Sequence, residues 1–332
     1  MYRKIIGFLE AWKESEYRKP LILQGARQVG KTYSILEFGR THYENVAYFN
    51  FETNPKLNDA FAENIDPDYL IPILSGIARQ TIVKGKTLIV FDEVQFCERA
   101  LASLKYFCED APEHHIIAVS SLLGVAVNRT KFSFPVGKVD IKTLYPMDME
   151  EFMLALGEED LVAQIKECFS TNTPLPSALH DAAMQFYRQY LVLGGMPKCV
   201  MQFAETKDYI LVRHTQDTIL ASYLNDMSKY NNLNEIKKTR LAYDNITVQL
   251  SKKNTRFQYK LIKKGGRASE FENAIEWLCL SGIVSQVYKV EQIKKPLENY
   301  RDIDAFKIYV SDLGLLCAKK DLAANDILYM VE

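Results

Sequence analysis

A glycine-rich segment near the N-terminus, Gly25-Ala26-Arg27-Gln28-Val29-Gly30-Lys31-Thr32, constrains what this chain can fold into more than any other stretch. It fits the pattern G-x-x-x-x-G-K-[ST] at every fixed position. The apolar run 20–24 before it predicts a short buried strand, and the run 31–40 after it predicts a helix. A glycine-bearing turn between a strand and a helix points unpaired backbone N–H groups and the positive end of the helix dipole at one spot. The segment therefore predicts a phosphate-binding loop.

An acidic pair, Asp92 and Glu93, ends the apolar run that begins at Leu88. At the end of a buried strand, Asp92 is suited to hold a Mg²⁺ ion, directly or through water. Glu93 is suited to orient or deprotonate a water for attack on the γ-phosphate of a nucleotide, which favours hydrolysis over transfer to a small acceptor. A solvated strand end is the alternative interpretation, and the complete loop upstream favours the catalytic one.

The predicted site combines the loop, the acidic pair and the end of the next apolar strand. Lys31 supplies a charge to the β- and γ-phosphates and Thr32 a hydroxyl ligand to Mg²⁺, so the predicted metal ligands are Thr32 and Asp92. Ser120 and Ser121 end the next strand, where a polar group either contacts the γ-phosphate or the attacking water, or only forms a turn. The predicted nucleotide-binding residues are Gly25, Ala26, Arg27, Gln28, Val29, Gly30, Lys31, Thr32 and Tyr33. The predicted catalytic residues are Lys31, Glu93, Ser121 and Arg129.

A further cation is expected, because phosphoryl transfer develops negative charge that a positive side chain stabilises. Arg129, Lys138 and Arg213 are the candidates, and each also fits an ordinary surface cation. An adenine nucleotide is favoured over a guanine nucleotide, since the sequence has no N-K-x-D segment of the kind many GTP-binding proteins use. ATP and Mg²⁺ are therefore the expected cofactors.

Strands and helices alternate through the first half of the chain. Beyond residues 20–24, strands are predicted over 46–51, 87–91, 115–120 and 138–143. Continuous apolar strands with helical segments between them are typical of a buried parallel sheet. The predicted fold class is α/β, a doubly wound parallel sheet of the P-loop NTPase type, followed by a helical lid and a winged-helix domain.

The second half divides into a mainly helical stretch and a mixed one. Residues 148–232 predict several helices separated by breaks such as Pro174 and Pro176. From residue 233, helices are predicted over 235–250, 257–263 and 269–280, followed by strands over 283–290 and 305–310. Three helices followed by a strand pair is the order of a winged helix. We therefore expect a nucleotide-binding domain over 1–147, a helical lid or linker over 148–232 and a winged-helix-like domain over 233–332.

Composition bounds the class of protein and its compartment. At 332 residues, with 48% apolar and 25% charged residues, the chain is long enough for two or three domains of ordinary globular type. The net charge of −1 excludes a global attraction to nucleic acid, and six cysteines without a C-x-x-C pair argue against zinc and disulfides. The longest uncharged run, 116–127, is too short for a membrane span, and the N-terminus has no signal-peptide pattern. The expected compartment is the cytoplasm.

A basic cluster lies inside the predicted winged helix, in a stretch that contains no acidic residue. It comprises Lys252, Lys253, Arg256, Lys260, Lys263, Lys264 and Arg267. Such a cluster around a helix-turn-helix is typical of phosphate contacts on DNA. A solvated cationic face without a partner is the alternative. DNA is thus the partner that we expect for this cluster, bound through its backbone rather than by sequence.

Several further motifs extend across the chain: 20–32 (PLILQGARQVGKT), 91–95 (FDEVQ), 121–125 (SLLGV), 134–138 (FPVGK), 144–146 (LYP), 194–197 (GGMP), 265–267 (GGR), 275–277 (IEW) and 306–314 (FKIYVSDLG). In these motifs the chain resembles a prokaryotic family of AAA-type ATPases with a C-terminal domain of unknown function. The resemblance implies ATP binding and hydrolysis by the residues named above, and a winged-helix region with links to DNA. Ser120 stands where the family often has glycine, and Lys138 where some relatives have arginine. Members often continue into a nuclease-like tail, so we expect this sequence to be truncated at Glu332.

The sequence as a whole predicts an ATPase coupled to a winged-helix module. An alternative hypothesis is a signalling switch that binds ATP, turns it over slowly and holds a protein partner. A small-molecule kinase is less favoured, because Glu93 points to hydrolysis and the sequence has no signature of an acceptor pocket.

Overall fold

The computed structural model describes residues 1–121, 134–230, 233–252 and 256–329, so the predicted site residues Arg129 and Lys253 lie outside the described residues. The chain divides into two compact units, Arg3–Tyr145 and Pro146–Glu332, the second of which also includes Met1–Tyr2. The finer division of the chain at residues 147 and 232 stays a prediction.

The first unit is built on a five-stranded parallel sheet with the strand order β2-β3-β4-β1-β5. The strands are β1 (Leu21–Gln24), β2 (Asn45–Asn50), β3 (Thr87–Asp92), β4 (His115–Ser120) and β5 (Asp140–Thr143). The helices are α1 (Ile5–Glu14), α2 (Lys31–His42), α3 (Pro67–Ala78) and α4 (Glu98–Asp110), with 3₁₀ turns at Pro55–Phe61 and Val94–Phe96. The predicted α/β fold of the P-loop NTPase type is confirmed.

The central strands β3 and β4 are buried along their whole length, and β1 along all but its last residue, so side chains on both faces of the middle of the sheet are buried. On one face Ile89, Phe91 and Ala118 join a core that includes residues of α3 and α4. Phe91 packs edge-to-face against Phe51 and Phe61, with ring centroids 5.7 and 5.6 Å away. Burying each such ring stabilises the fold by roughly 1.5–3 kcal/mol. The parallel register brings the carboxyl ends of all five strands to one edge of the sheet.

The second unit is mainly helical, with one antiparallel hairpin. Its helices are α5 (Met149–Ala155), α6 (Glu159–Thr171), α7 (Ser177–Leu193), α8 (Pro197–Thr206), α9 (Tyr209–Tyr230), α10 (Leu233–Leu250), α11 (Ala268–Leu280), α12 (Leu313–Lys319) and α13 (Ala324–Leu328). The hairpin pairs β6 (Val284–Val290) with β7 (Arg301–Val310). Asp148 and Glu151 form a capping box at the start of α5. No helix in the described part of the chain is both long and apolar enough to cross a bilayer.

The helix predicted over 257–263 is wrong, since this segment holds only a 3₁₀ turn at Tyr259–Leu261. The backbone N–H of Phe257 donates to the carbonyl of Phe306 at 2.8 Å, and the two rings stack with centroids 5.5 Å apart. These contacts hold the chain extended beside β7 before the turn begins. The winged-helix assignment of this region stays a prediction.

A buried carboxylate, Asp312, holds together two loops of the second unit. Its Oδ2 accepts a hydrogen bond from the Gly195 N–H at 2.7 Å, and its Oδ1 accepts one from the Leu315 N–H at 2.8 Å. The Gly195 carbonyl in turn accepts from the Met147 N–H at 2.7 Å. Burial raises the pKa of the Asp312 carboxyl to about 6, although hydrogen bonds from Leu315, Gly195 and Gly314 oppose the rise. The motifs 194–197 and 306–314 therefore meet in one packed junction.

Candidate nucleotide-binding site

The glycine-rich loop joins β1 to α2 and begins at a position that only glycine fits. Gly25 has a φ of 150°, and a β-carbon added there would lie 2.2 Å from the Leu144 carbonyl oxygen. Gly30 is the N-cap of α2, so the first N–H groups of that helix face the loop. Ala26 and Val29 are buried, whereas Tyr33 is 60% exposed. This arrangement has the backbone geometry of an anion site at a helix N-terminus.

Lys31 is buried within the loop that it belongs to. Its Nζ donates to the carbonyl oxygens of Gly25 at 2.9 Å and Ala26 at 2.8 Å. Burial lowers the pKa of the Lys31 ammonium to about 8, because the attraction of Glu93 and Asp92 only partly offsets the loss of water. A buried ammonium beside backbone N–H groups is suited to contact phosphate oxygens.

Asp92, at the end of β3, is buried and accepts hydrogen bonds from three side chains. Thr32 Oγ1 lies 3.1 Å from Asp92 Oδ2, which brings the two predicted metal ligands together. Tyr48 donates to the same oxygen at 2.5 Å and Asn50 Nδ2 at 3.3 Å. Burial, followed by the hydrogen bond to Asp92, raises the pKa of the Tyr48 hydroxyl to about 12. Tyr48 therefore stays a donor to this carboxylate.

Tyr48 and Asn50 are site residues that the sequence reasoning missed. Both lie on β2, where Asn50 pairs in register with Asp92. The signal available in the sequence is the alternation at the end of the predicted strand, where Tyr48 and Asn50 follow each other at a spacing of two. Side chains at that spacing share one face of the sheet.

Glu93 follows Asp92 in a left-handed backbone conformation, with a φ of 51°. Its Oε2 accepts a hydrogen bond from Ser121 Oγ at 2.9 Å and another from Gln95 Nε2. Ser120 Oγ donates to Gln95 Oε1 at 2.7 Å. The structure thus brings Ser121 directly to Glu93, whereas Ser120 contacts Gln95, another residue that the sequence reasoning missed.

Two of the three candidate cations have protein partners. Lys138 Nζ lies 2.8 Å from Glu109 Oε1. Arg213 donates to the carbonyls of Ala318 and Leu322, near the C-terminal end of α12. Both side chains thus have contacts that ordinary structural cations make, and Arg129, the third candidate, is not among the described residues.

The sheet, the loop and the acidic strand end define the class of this protein as an α/β P-loop NTPase. A family model described as an AAA domain matches residues 17–153, which supports an AAA-type ATPase domain. A second model, described as a domain of unknown function (DUF8612), matches residues 184–326.

The solved structure of a Walker-type ATPase shares the fold. A Walker-type ATPase of Pyrococcus abyssi is similar with a TM-score of 0.57 and 14% identity, over 96% of this chain and 95% of that one. The ORC2 protein of Aeropyrum pernix has a TM-score of 0.49 and 12% identity, over 98% of this chain and 94% of that one. No curated protein matches the sequence.

Proposed function

We propose that this protein is a Mg²⁺-dependent ATPase whose second half responds to the bound nucleotide. The observation that carries the proposal is the convergence of Lys31, Thr32, Asp92 and Glu93 at the carboxyl edge of the sheet. Lys31 has the charge and position to contact phosphates, and Glu93 is adjacent to a carboxylate suited to a metal ion. Phosphoryl transfer to water requires a site for the phosphates, ligands for a metal ion and a base for the attacking water. These residues provide a candidate for each.

Thr32 and Asp92 fit a Mg²⁺ ion. They offer a hydroxyl and a carboxylate oxygen 3.1 Å apart, which are the hard oxygen ligands that this ion prefers. Within the described ranges no cluster of three His, Cys, Asp or Glu side chains forms a metal site without help. Phosphate oxygens and water would supply the remaining ligands, and the ion would neutralise charge on the phosphates.

In the proposed reaction a water attacks the γ-phosphorus, and the bond from phosphorus to the β,γ-bridging oxygen breaks with its electron pair going to ADP. Glu93 accepts the proton of that water. Ser121 and Gln95 both donate to Glu93 Oε2 and orient the carboxylate, and the second oxygen, Oε1, can accept the proton of the water. The alternative candidate function is a switch that binds ATP, turns it over slowly and holds a protein partner.

Replacing Glu93 with glutamine should lower the rate of phosphate release by about 10²–10³-fold, because an amide cannot take the proton of the attacking water. Affinity for the non-hydrolysable analogue AMP-PNP should stay close to that of the wild type, since Glu93 does not hold the phosphates. A phosphate-release assay and a nucleotide titration measure the two quantities. Glu37→Gln is the matched control, because Glu37 forms an exposed ion pair with Arg40 on α2.

Hydrolysis at the wild-type rate in Glu93→Gln would remove Glu93 from the mechanism. A wild-type protein that binds ATP tightly but releases negligible phosphate would overturn the ATPase proposal and favour the switch. Retention of bound nucleotide through purification would support that second outcome.

The basic cluster of the second unit supports DNA as a partner. Six of its seven members are described, and all six are exposed: Lys252, Arg256, Lys260, Lys263, Lys264 and Arg267. Lys263 Nζ lies 3.3 Å from Glu270 Oε1, and this ion pair reduces the positive field of the cluster. Exposed cations favour contacts to the phosphate backbone, which carry no sequence information.

DNA affinity should fall steeply with salt, by about 0.9 log units per tenfold rise in salt for each phosphate contact. Changing Lys260 and Lys264 to glutamate should weaken binding to all duplex sequences alike and reduce that slope by about 2. Gel-shift titrations at several salt concentrations measure both effects. The double change at Lys84 and Lys86, two exposed lysines of the first unit, alters total charge equally and serves as the control. A slope that is flat in the wild type would exclude DNA as the partner.

A further inference from the structure

Arg27, the third residue of the glycine-rich loop, is a cation close to the predicted phosphate site. Its guanidinium forms an ion pair with Glu52, with Arg27 Nη2 and Glu52 Oε1 3.5 Å apart. The Arg27 charge is also close enough to Lys31 to contribute to the lowered pKa of the Lys31 ammonium. The loop therefore carries two neighbouring positive charges, one buried and one partly exposed.

Glu52 is fixed to the metal-binding side of the site. Its backbone N–H donates to Asn50 Oδ1 at 3.0 Å, just beyond the end of β2. The amide nitrogen of the same Asn50 side chain donates to Asp92 Oδ2 at 3.3 Å. A single side chain thus connects the turn that presents Glu52 with the carboxylate suited to Mg²⁺. Arg27 consequently lies toward the side of the loop where the ion and the attacking water would act, which is the γ-phosphate side.

We propose that Arg27 contacts the γ-phosphate and stabilises, from within the same chain, the negative charge that develops during hydrolysis, with Glu52 as the residue that positions it. This inference rests on the proposed ATPase function. A guanidinium offers a planar fork of donors that matches two phosphate oxygens, whereas the Lys31 ammonium acts as a point charge. Because the γ-phosphate is absent from ADP, Arg27 distinguishes ATP from ADP, and Lys31 does so less.

The variants Arg27→Ala and Arg27→Lys test this role through binding and rate separately. With Mg²⁺ present, Arg27→Ala should weaken AMP-PNP binding about tenfold and leave ADP binding within about twofold, because only the γ-phosphate contact is lost. Single-turnover hydrolysis should fall by about 10²–10³-fold. Arg27→Lys keeps the charge but loses the fork, so it should recover most of the AMP-PNP affinity and little of the rate.

Arg40→Ala is the control, since Arg40 forms an exposed ion pair with Glu37 on α2, and its nucleotide binding and rate should match those of the wild type. Equal losses of ADP and AMP-PNP affinity in Arg27→Ala would overturn the proposal, because they would indicate a change in loop shape. Wild-type hydrolysis in that variant would overturn it too. If the wild type binds ATP without hydrolysing it, the ATPase proposal fails, and the ratio of AMP-PNP to ADP affinity still decides whether Arg27 contacts the γ-phosphate.

Discussion

Replacing Lys31 with methionine is expected to lower the rate of ATP hydrolysis by about 10³-fold and to weaken nucleotide binding as well. The side chain is buried, and its ammonium lies against the Gly25 and Ala26 carbonyls in the loop. Methionine has nearly the same length and volume, so the loop loses its charge while its packing is largely kept. The phosphates then meet backbone N–H groups alone, without a compact cation between the β- and γ-positions. Titration with a fluorescent ATP analogue and a phosphate-release assay measure the two losses.

The matched control for Lys31→Met is Lys13→Met. Lys13 Nζ also donates to a backbone carbonyl, that of His42 at 2.8 Å, but this contact lies at the C-terminal end of α2, away from the loop. Its loss should change neither nucleotide affinity nor turnover. Thermal unfolding of Lys31→Met should remain close to that of the wild type, because removing a buried charge offsets the two lost hydrogen bonds. Wild-type affinity in Lys31→Met would contradict the assignment of the loop as the phosphate site.

The fold class of the first unit was predictable because the patterns that define it lie in short continuous stretches of the sequence. The pattern from Gly25 to Thr32 contains the strand exit, the turn and the helix start in one stretch, and Asp92-Glu93 marks a strand end directly. Confirmation of the fold class follows from the same locality, since continuous apolar strands between helices leave few alternatives to a parallel sheet. The catalytic and metal-binding roles of these residues stay predictions.

The partners of those residues were not predictable, because they depend on which strands are neighbours. Asn50 is in register with Asp92 only because β2 pairs with β3, and Ser121 reaches Glu93 only because β4 pairs with β3 on the other side. Strand order is not encoded in any single stretch of the chain. Arg27 was predicted only as one of the nucleotide-binding residues of the loop, and its ion pair with Glu52 likewise depends on the end of β2.

The second unit departed further from expectation for the same reason. Gly194 and Gly195 were predictable as the end of a helix, whereas the hydrogen bond from the Gly195 N–H to Asp312 spans 117 residues. A long-range contact of this kind leaves only an indirect trace in the sequence, namely small residues and a lone carboxylate inside apolar runs. The prediction of a helix over 257–263 is wrong because the Phe257 N–H donates to a carbonyl of β7, a strand far along the chain.

Gly195→Ala is expected to destabilise the second unit by roughly 3–6 kcal/mol. A β-carbon at Gly195 would lie 1.9 Å from the Met147 carbonyl oxygen and 2.8 Å from the Met147 carbonyl carbon. The Met147 backbone cannot yield easily, because its N–H donates to the Gly195 carbonyl at 2.7 Å. Any shift that relieves the clash also lengthens the bond from Gly195 to the buried Asp312 carboxylate, which then loses a donor.

Tryptophan fluorescence can follow this unit alone, since the chain has two tryptophans, Trp12 in the first unit and Trp277 in the second. In a Trp12→Phe background, urea unfolding monitored at Trp277 gives the free energy of the second unit. Gly157→Ala is the comparison variant, because Gly157 has a φ of 87° and open space around its α-carbon. Gly157→Ala should lower the free energy of unfolding by about 1–2 kcal/mol, because it adds only backbone strain. If the two variants lose the same free energy of unfolding, the junction at Asp312 accommodates a methyl group and does not hold the second unit together.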